Sequence, residues 1–189
     1  MREDESAART NESSPAIYRW VRVFSIKMSP RSGRLKKRTL MSHSYVSNLM
    51  HCTFSTKDRS PLIDSNLEAR LWPYLGGIAR ENRIKALAIG GATDHVHALL
   101  SLPSMMSFAK AVQLIKGGSS KWIHEALPQY RKFEWQEGYG AFSVSASQVP
   151  KAIAYINNQK EHHRRKAFHE EFLELLKKHG IEYDSRYVF

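Results

Sequence analysis

The stretch Ile84–Ser101, IKALAIGGATDHVHALLS, decides the fold. Residues 84–89, aliphatic except for Lys85, read as one strand, Asp94–Ser101 reads as another, and Gly90-Gly91 turns the chain between them into a hairpin. Side chains alternate faces along a strand. Val96, Ala98 and Leu100 therefore point into a core, while His95 and His97 share the other face, with Cα atoms about 7 Å apart. Two imidazoles at that spacing can reach one metal ion, although paired histidines in a strand also occur as plain half-buried or solvated residues.

Upstream, Tyr45–Phe54 is rich in strand formers, and Lys57-Asp58-Arg59-Ser60-Pro61 ends the strand with turn residues. Asp64 or Ser65 can cap a helix in which Leu67, Leu71, Tyr74, Leu75 and Ile78 share one face. Downstream, Met105–Ile115 is a second helix with Phe108, Val112 and Ile115 on one side; Gly117-Gly118 interrupts it and Ser119–Ala126 resumes it. Residues 128–140 are aromatic and loop-like, and Phe142–Ser145 is a short strand. Ser147 with Pro150 announces a long helix from about Val149 to Arg165, and Glu170–His179 is a further amphipathic helix ended by Gly180. The order β-α-β-β-α-β followed by helices predicts an α+β, ferredoxin-like split βαβ sandwich: an antiparallel sheet with helices on one face plus C-terminal helices. Many unrelated proteins use that plan, so it leaves function open.

Composition narrows the field. The chain has 189 residues, enough for one domain with a tail, and its 42% hydrophobic content excludes global disorder. No apolar run approaches the roughly 18 residues of a membrane span. A single cysteine, Cys52, excludes an intrachain disulfide and a Cys-based zinc cluster, and makes a reducing cytoplasm the default compartment. The formal charge of +11 points to a polyanionic partner, of which nucleic acid is the commonest. Residues 1–40 carry ten basic and four acidic residues and little to bury, against nineteen and fourteen in residues 41–189. Residues 1–40 therefore read as a flexible basic extension without the h-region of a signal peptide, or as a DNA-binding arm, and residues 41–189 as the domain.

A second feature lies on the long helix, where Tyr155 and Gln159, at i and i+4, project from one face. Alone the pair is commonplace, but with the histidines it forms an ordered set. Asp94-His95-Val96-His97-Ala98-Leu99-Leu100 together with Tyr155-Ile156-Asn157-Asn158-Gln159 resembles the HUH single-tyrosine transposases of the smallest bacterial insertion sequences and their repeat-associated relatives, HUH denoting His, a bulky apolar residue, His. Phe54-Ser55-Thr56-Lys57-Asp58-Arg59, Leu114–Ser120 and Gly138–Ser145 are similar to that family too. The resemblance spans roughly residues 43–188.

The resemblance implies a DNA transposase that cuts and rejoins single strands at hairpin-bearing element ends. His95, His97 and the amide oxygen of Gln159 would hold Mg²⁺ or Mn²⁺, and Tyr155 would be the nucleophile of a 5′-phosphotyrosine intermediate. A free phenol has a pKa near 10, so forming phenolate at pH 7 costs about 4 kcal/mol, part of which the ion and the basic surroundings must offset. His162, seven residues after Tyr155, is an acid/base or DNA-contact candidate, or a solvated histidine in a polar run. Lys57, Arg59, Lys116 and Lys121 are the candidate backbone contacts. Trp72, Trp122, Trp135, Tyr130 and Tyr139 are candidate base-stacking platforms, core packing being the default for Trp72 and Trp122. The implied partners are single-stranded DNA with imperfect hairpins and a second copy in a homodimer, in the bacterial cytoplasm at the nucleoid, with the tyrosine helix serving its own or its partner's histidines. The rival readings are a domesticated, non-mobile relative, a nucleic-acid-binding module, and another HUH endonuclease.

Overall fold

The structure is a computed structural model that describes residues 45–164, 167–184 and 188; the basic extension expected over residues 1–40 lies outside them. Its strands are β1 (Leu49–Ser55), β2 (Lys85–Gly91), β3 (His95–Ser101) and β4 (Gly140–Ser143). Its helices are α1 (Ser65–Glu81), α2 (Phe108–Ala126), α3 (Val149–Asn157), α4 (Gln159–His163) and α5 (Phe168–Lys178). The four strands form one sheet in the order β2-β3-β1-β4, every neighbouring pair antiparallel. This is the expected α+β, split βαβ plan.

Strand alternation divides the sheet into two chemically different faces. Cys52 and Phe54 of β1 join Val96, Ala98 and Leu100 of β3 in the core, where Leu67, Leu71, Leu75 and Ile78 of α1 and Val112, Ile115 and Ile123 of α2 meet them. Asp64 starts α1 by accepting a hydrogen bond from the Leu67 N–H at 2.8 Å. On the opposite face lie His51, Thr53, His95 and His97, all buried. The C-terminal helices cover that side: Ile156 of α3 packs over Gly90, Phe168 of α5 stacks on His95 with ring centroids 4.2 Å apart, and Phe172 lies over Gly140.

Several local expectations are corrected. Gly117-Gly118 does not interrupt α2, which is continuous; a Cβ on Gly118 would sit 3.0 Å from Ile78 Cδ1, so the missing side chain lets α1 and α2 pack closely. Gly90-Gly91 is not the turn but the end of β2, and the chain reverses over residues 92–94. A Cβ on Gly90 would lie 2.5 Å from the Ile156 carbonyl oxygen, so this glycine admits α3 to the sheet. The long helix breaks at Asn158 (φ −104°, ψ 19°), where two consecutive asparagines, poor helix formers, separate α3 from α4. Tyr45 and Val46 are exposed and precede β1 rather than opening it.

Candidate active site

β3 delivers His95 and His97 side by side on the covered face, both fully buried. Each ring is held through Nδ1. His95 Nδ1 lies 2.7 Å from Asp94 Oδ1, and His97 Nδ1 lies 2.9 Å from His51 Nε2 on the neighbouring strand. Such partners set the tautomer and orientation of metal-ligating histidines and leave Nε2 as the ligating atom. Buried with them, His95 Nε2 and Gln159 Oε1 have no hydrogen-bond partner. Burial, then His51 and the other nearby histidines, pushes the pKa of His97 well below the usual imidazole range. Burial, helped by His179 and Lys178, lowers His51 to about 4. Both rings are therefore neutral at pH 7, the form that ligates a metal. Burial works against the charge on Asp94, but the hydrogen bond with His95 prevails and keeps that carboxyl below its ordinary value.

The break at Asn158 turns Gln159 inward, where it is 1% exposed. Its Nε2 donates to Glu171 Oε1 of α5 at 3.3 Å. Glu171 Oε1 is also 3.3 Å from His97 Nε2, and Oε2 is 2.8 Å from His163 Nε2. Ligand atoms of His95, His97, His163 and Glu171 all lie within 4.8 Å of one another. Burial, reinforced by Glu174 and Asp94, raises the Glu171 carboxyl to about 8. With His97 also neutral, their contact is not a charged pair. A divalent cation reverses that logic by favouring the ionised carboxylate. Imidazole nitrogens, an amide oxygen and a carboxylate around unsatisfied buried atoms thus fit a metal ion.

Tyr155 projects from α3 toward this cluster. Its ring is half-buried, with its centroid 5.8 Å from that of His97, 5.9 Å from that of His51 and 5.3 Å from that of His162. It lines a cavity of about 570 Å³ together with His51, Phe142, Lys151, His162 and Lys178. Lys151 and Lys178 bring positive charge to a lining that also holds Glu171 and Glu174, and the two ammonium groups can meet a phosphate-bearing ligand.

Of the residues singled out from the sequence, the fold brings His95, His97, Tyr155, Gln159 and His162 together within one chain. Lys57 and Arg59 lie in the turn after β1, and that turn is tied to the end of β3 because the Thr56 N–H donates to the Asp94 carbonyl at 2.8 Å. Lys57 pairs there with Glu134. The Lys116 ammonium donates to the Gln136 and Gly138 carbonyls, the latter at 2.8 Å, bracing the loop before β4. Lys121 lies elsewhere, in a surface groove between α1 and α2, beside Glu125 at 3.8 Å. Trp72, Trp122, Trp135 and Tyr130 pack against the core, and Tyr139 is 42% exposed.

His51, Asp94, His163 and Glu171 were not among the site residues expected from sequence. Two carry a readable signal. His51, Thr53 and Ser55 form a polar alternate set opposite Met50, Cys52 and Phe54, which marks a strand face aimed at a polar site. Glu171 interrupts the apolar stripe of α5 between Phe168 and Phe172.

The family described as "Transposase IS200 like" matches residues 44–159. The ISDra2 transposase TnpA of Deinococcus radiodurans is 25% identical over 114 residues, covering 58% of this chain and 81% of that protein. A crystal structure of a Deinococcus radiodurans R1 protein described as a transposase superposes with a TM-score of 0.52 at 24% identity, over 68% of this chain and 97% of that one. The structure of a REP-associated tyrosine transposase bound to a REP hairpin is similar with a TM-score of 0.48 at 16% identity, over 64% of this chain and 72% of that one. With the family match spanning more than half of its length, the chain belongs to the IS200-like transposases.

Proposed function

We propose that this transposase cleaves and rejoins single-stranded DNA at hairpin-bearing ends through a phosphotyrosine intermediate, with Tyr155 as nucleophile. The observation that carries this reading is the placement of the Tyr155 ring 5.8 Å from the His97 ring, at the edge of a cavity that Lys151 and Lys178 line. His95, His97 and Gln159 are the residues that would hold a divalent cation of the Mg²⁺ or Mn²⁺ type. Bound there, the cation supplies Lewis-acid polarisation of the scissile phosphate.

The remaining steps belong to the chain. The Tyr155 oxygen attacks phosphorus; an O–P bond to the phenol forms as the bond to the 3′ oxygen breaks. The phenol gives up its proton to His162, whose ring centroid is 5.3 Å from that of Tyr155, and the resulting imidazolium or water returns a proton to the departing 3′ oxygen, which leaves as a hydroxyl. Strand transfer is the reverse, in which a 3′-hydroxyl attacks the phosphotyrosine and releases Tyr155, so no external energy source is needed. Lys151 and Lys178 steer the backbone into the cavity, and Lys57 and Arg59 extend the basic surface past the end of β1. The functional unit is a homodimer acting on DNA in the cytoplasm.

The test is a labelled, hairpin-bearing single strand incubated with the protein and Mn²⁺. A covalent protein–DNA adduct that is absent with Tyr155→Phe supports the assignment. Binding without any adduct from the wild type would sink it and leave a nucleic-acid-binding module.

A further inference from the structure

Two residues outside the His-His-Gln set turn into the same cluster. His163 ends α4, and Glu171, 3% exposed, projects from α5. Their ligand atoms lie within 4.8 Å of those of His95 and His97. Metal–ligand bonds of about 2.1 Å put neighbouring donor atoms roughly 3.0–3.4 Å apart, so small side-chain movements gather the four around one ion, and coordination beyond four stays open for a phosphate oxygen. His95 Nε2, buried without a partner, faces into it.

We propose that His163 and Glu171 complete a four-residue metal site with His95 and His97, and that three imidazoles and one carboxylate make the site select a divalent transition cation over Mg²⁺. The inference deepens the reading above and rests on its metal site, but not on the chemistry of Tyr155. Mg²⁺ prefers an octahedron of oxygens and gives up water reluctantly, whereas imidazole nitrogen suits Mn²⁺, Co²⁺ and Zn²⁺ progressively better. Glu171 is held for this task by Gln159, whose Nε2 donates to Oε1, leaving the Gln159 oxygen as a further donor. Asp94 and His51 fix the other two rings from behind.

The experiment uses the full chain, stripped with chelator and titrated with Co²⁺ while its visible absorption is followed. The expected result is a saturable ligand-field spectrum that Mn²⁺ displaces at a concentration at least about tenfold below that required of Mg²⁺. His163→Ala and Glu171→Gln should each weaken Co²⁺ binding at least about tenfold. Because Glu171 is buried and its variant is at risk of misfolding, thermal unfolding provides a second readout. Co²⁺ should raise the Tm of the wild type and raise that of His163→Ala, where the native side chain is 13% exposed, less. Equal Co²⁺ affinity in the wild type and both variants, or displacement by Mg²⁺ as effective as by Mn²⁺, would overturn the proposal. Tyr155→Phe should keep the full spectrum, so a failure of DNA cleavage and a failure of this metal assignment are separately visible.

Discussion

His51 Nε2 and His97 Nδ1 lie 2.9 Å apart, joining β1 to β3 beneath the cluster. When His97 presents Nε2 to a metal, its Nδ1–H donates to His51, so His51 acts as a positioning residue. His51→Ala should weaken metal binding about 10–100-fold, and His51→Gln, whose amide oxygen can accept the same hydrogen bond, should restore part of it. Isothermal titration with Mn²⁺ on the three proteins is the check. Equal loss in both variants would indicate packing alone.

In the proposed mechanism the histidines and the basic residues serve different steps. His97→Ala should abolish adduct formation while changing hairpin affinity by less than about tenfold, or ~1.4 kcal/mol. Filter binding and adduct assays on the same preparation separate the two. Loss of binding with normal cleavage of short strands would contradict the assignment.

Tyr155 reaches the histidines of its own chain. A mixture of Tyr155→Phe and His97→Ala proteins should therefore remain inactive. Recovery of cleavage on mixing would mean that the helix serves a partner subunit instead.

Gly90 sets the depth of α3 on the sheet. An added Cβ would lie 2.5 Å from the Ile156 carbonyl oxygen, one residue from Tyr155. Gly90→Ala should cost roughly 1–3 kcal/mol of stability and, by lifting α3 and with it Tyr155 and Gln159, lower both the cleavage rate and the metal affinity. Urea unfolding and single-turnover kinetics test both parts.

Asp64 caps α1 and accepts from the Tyr130 hydroxyl at 2.7 Å. The hydrogen bonds from the Leu67 N–H and Tyr130 hold its carboxyl below the ordinary value. A carboxyl depressed in the folded state contributes stability that is complete above its unfolded pKa and lost as pH falls through the folded one. Asp64→Ala should cost about 1 kcal/mol at pH 7. The gap between variant and wild type should shrink as pH falls below about 4. A gap independent of pH would refute the charged cap.

What could be read from sequence was whatever depends on local period. The alternation through Val96, Ala98 and Leu100 placed the paired histidines on the opposite face, and the spacing of Leu67, Leu71, Leu75 and Ile78 defined the buried side of α1. His51 and Glu171 escaped because the β1–β3 register and the docking of α5 bring them in across long chain separations. The glycines misled for a related reason. Gly90 and Gly118 resemble local breakers, yet their role is steric and set by Ile156 and Ile78, partners far away in the chain.

The pairing of Phe54 with Val96 and of Cys52 with Ala98 has a consequence for folding fidelity. If β3 slid one position along β1, its aliphatic side chains would turn toward the C-terminal helices and both imidazoles would be driven into the oily layer under α1 and α2. Such a misaligned chain forfeits stability and chemistry in a single error. Ordinary hydrophobic sorting therefore aims the two imidazoles, and any mutation that loosens the aliphatic layer also endangers their aim.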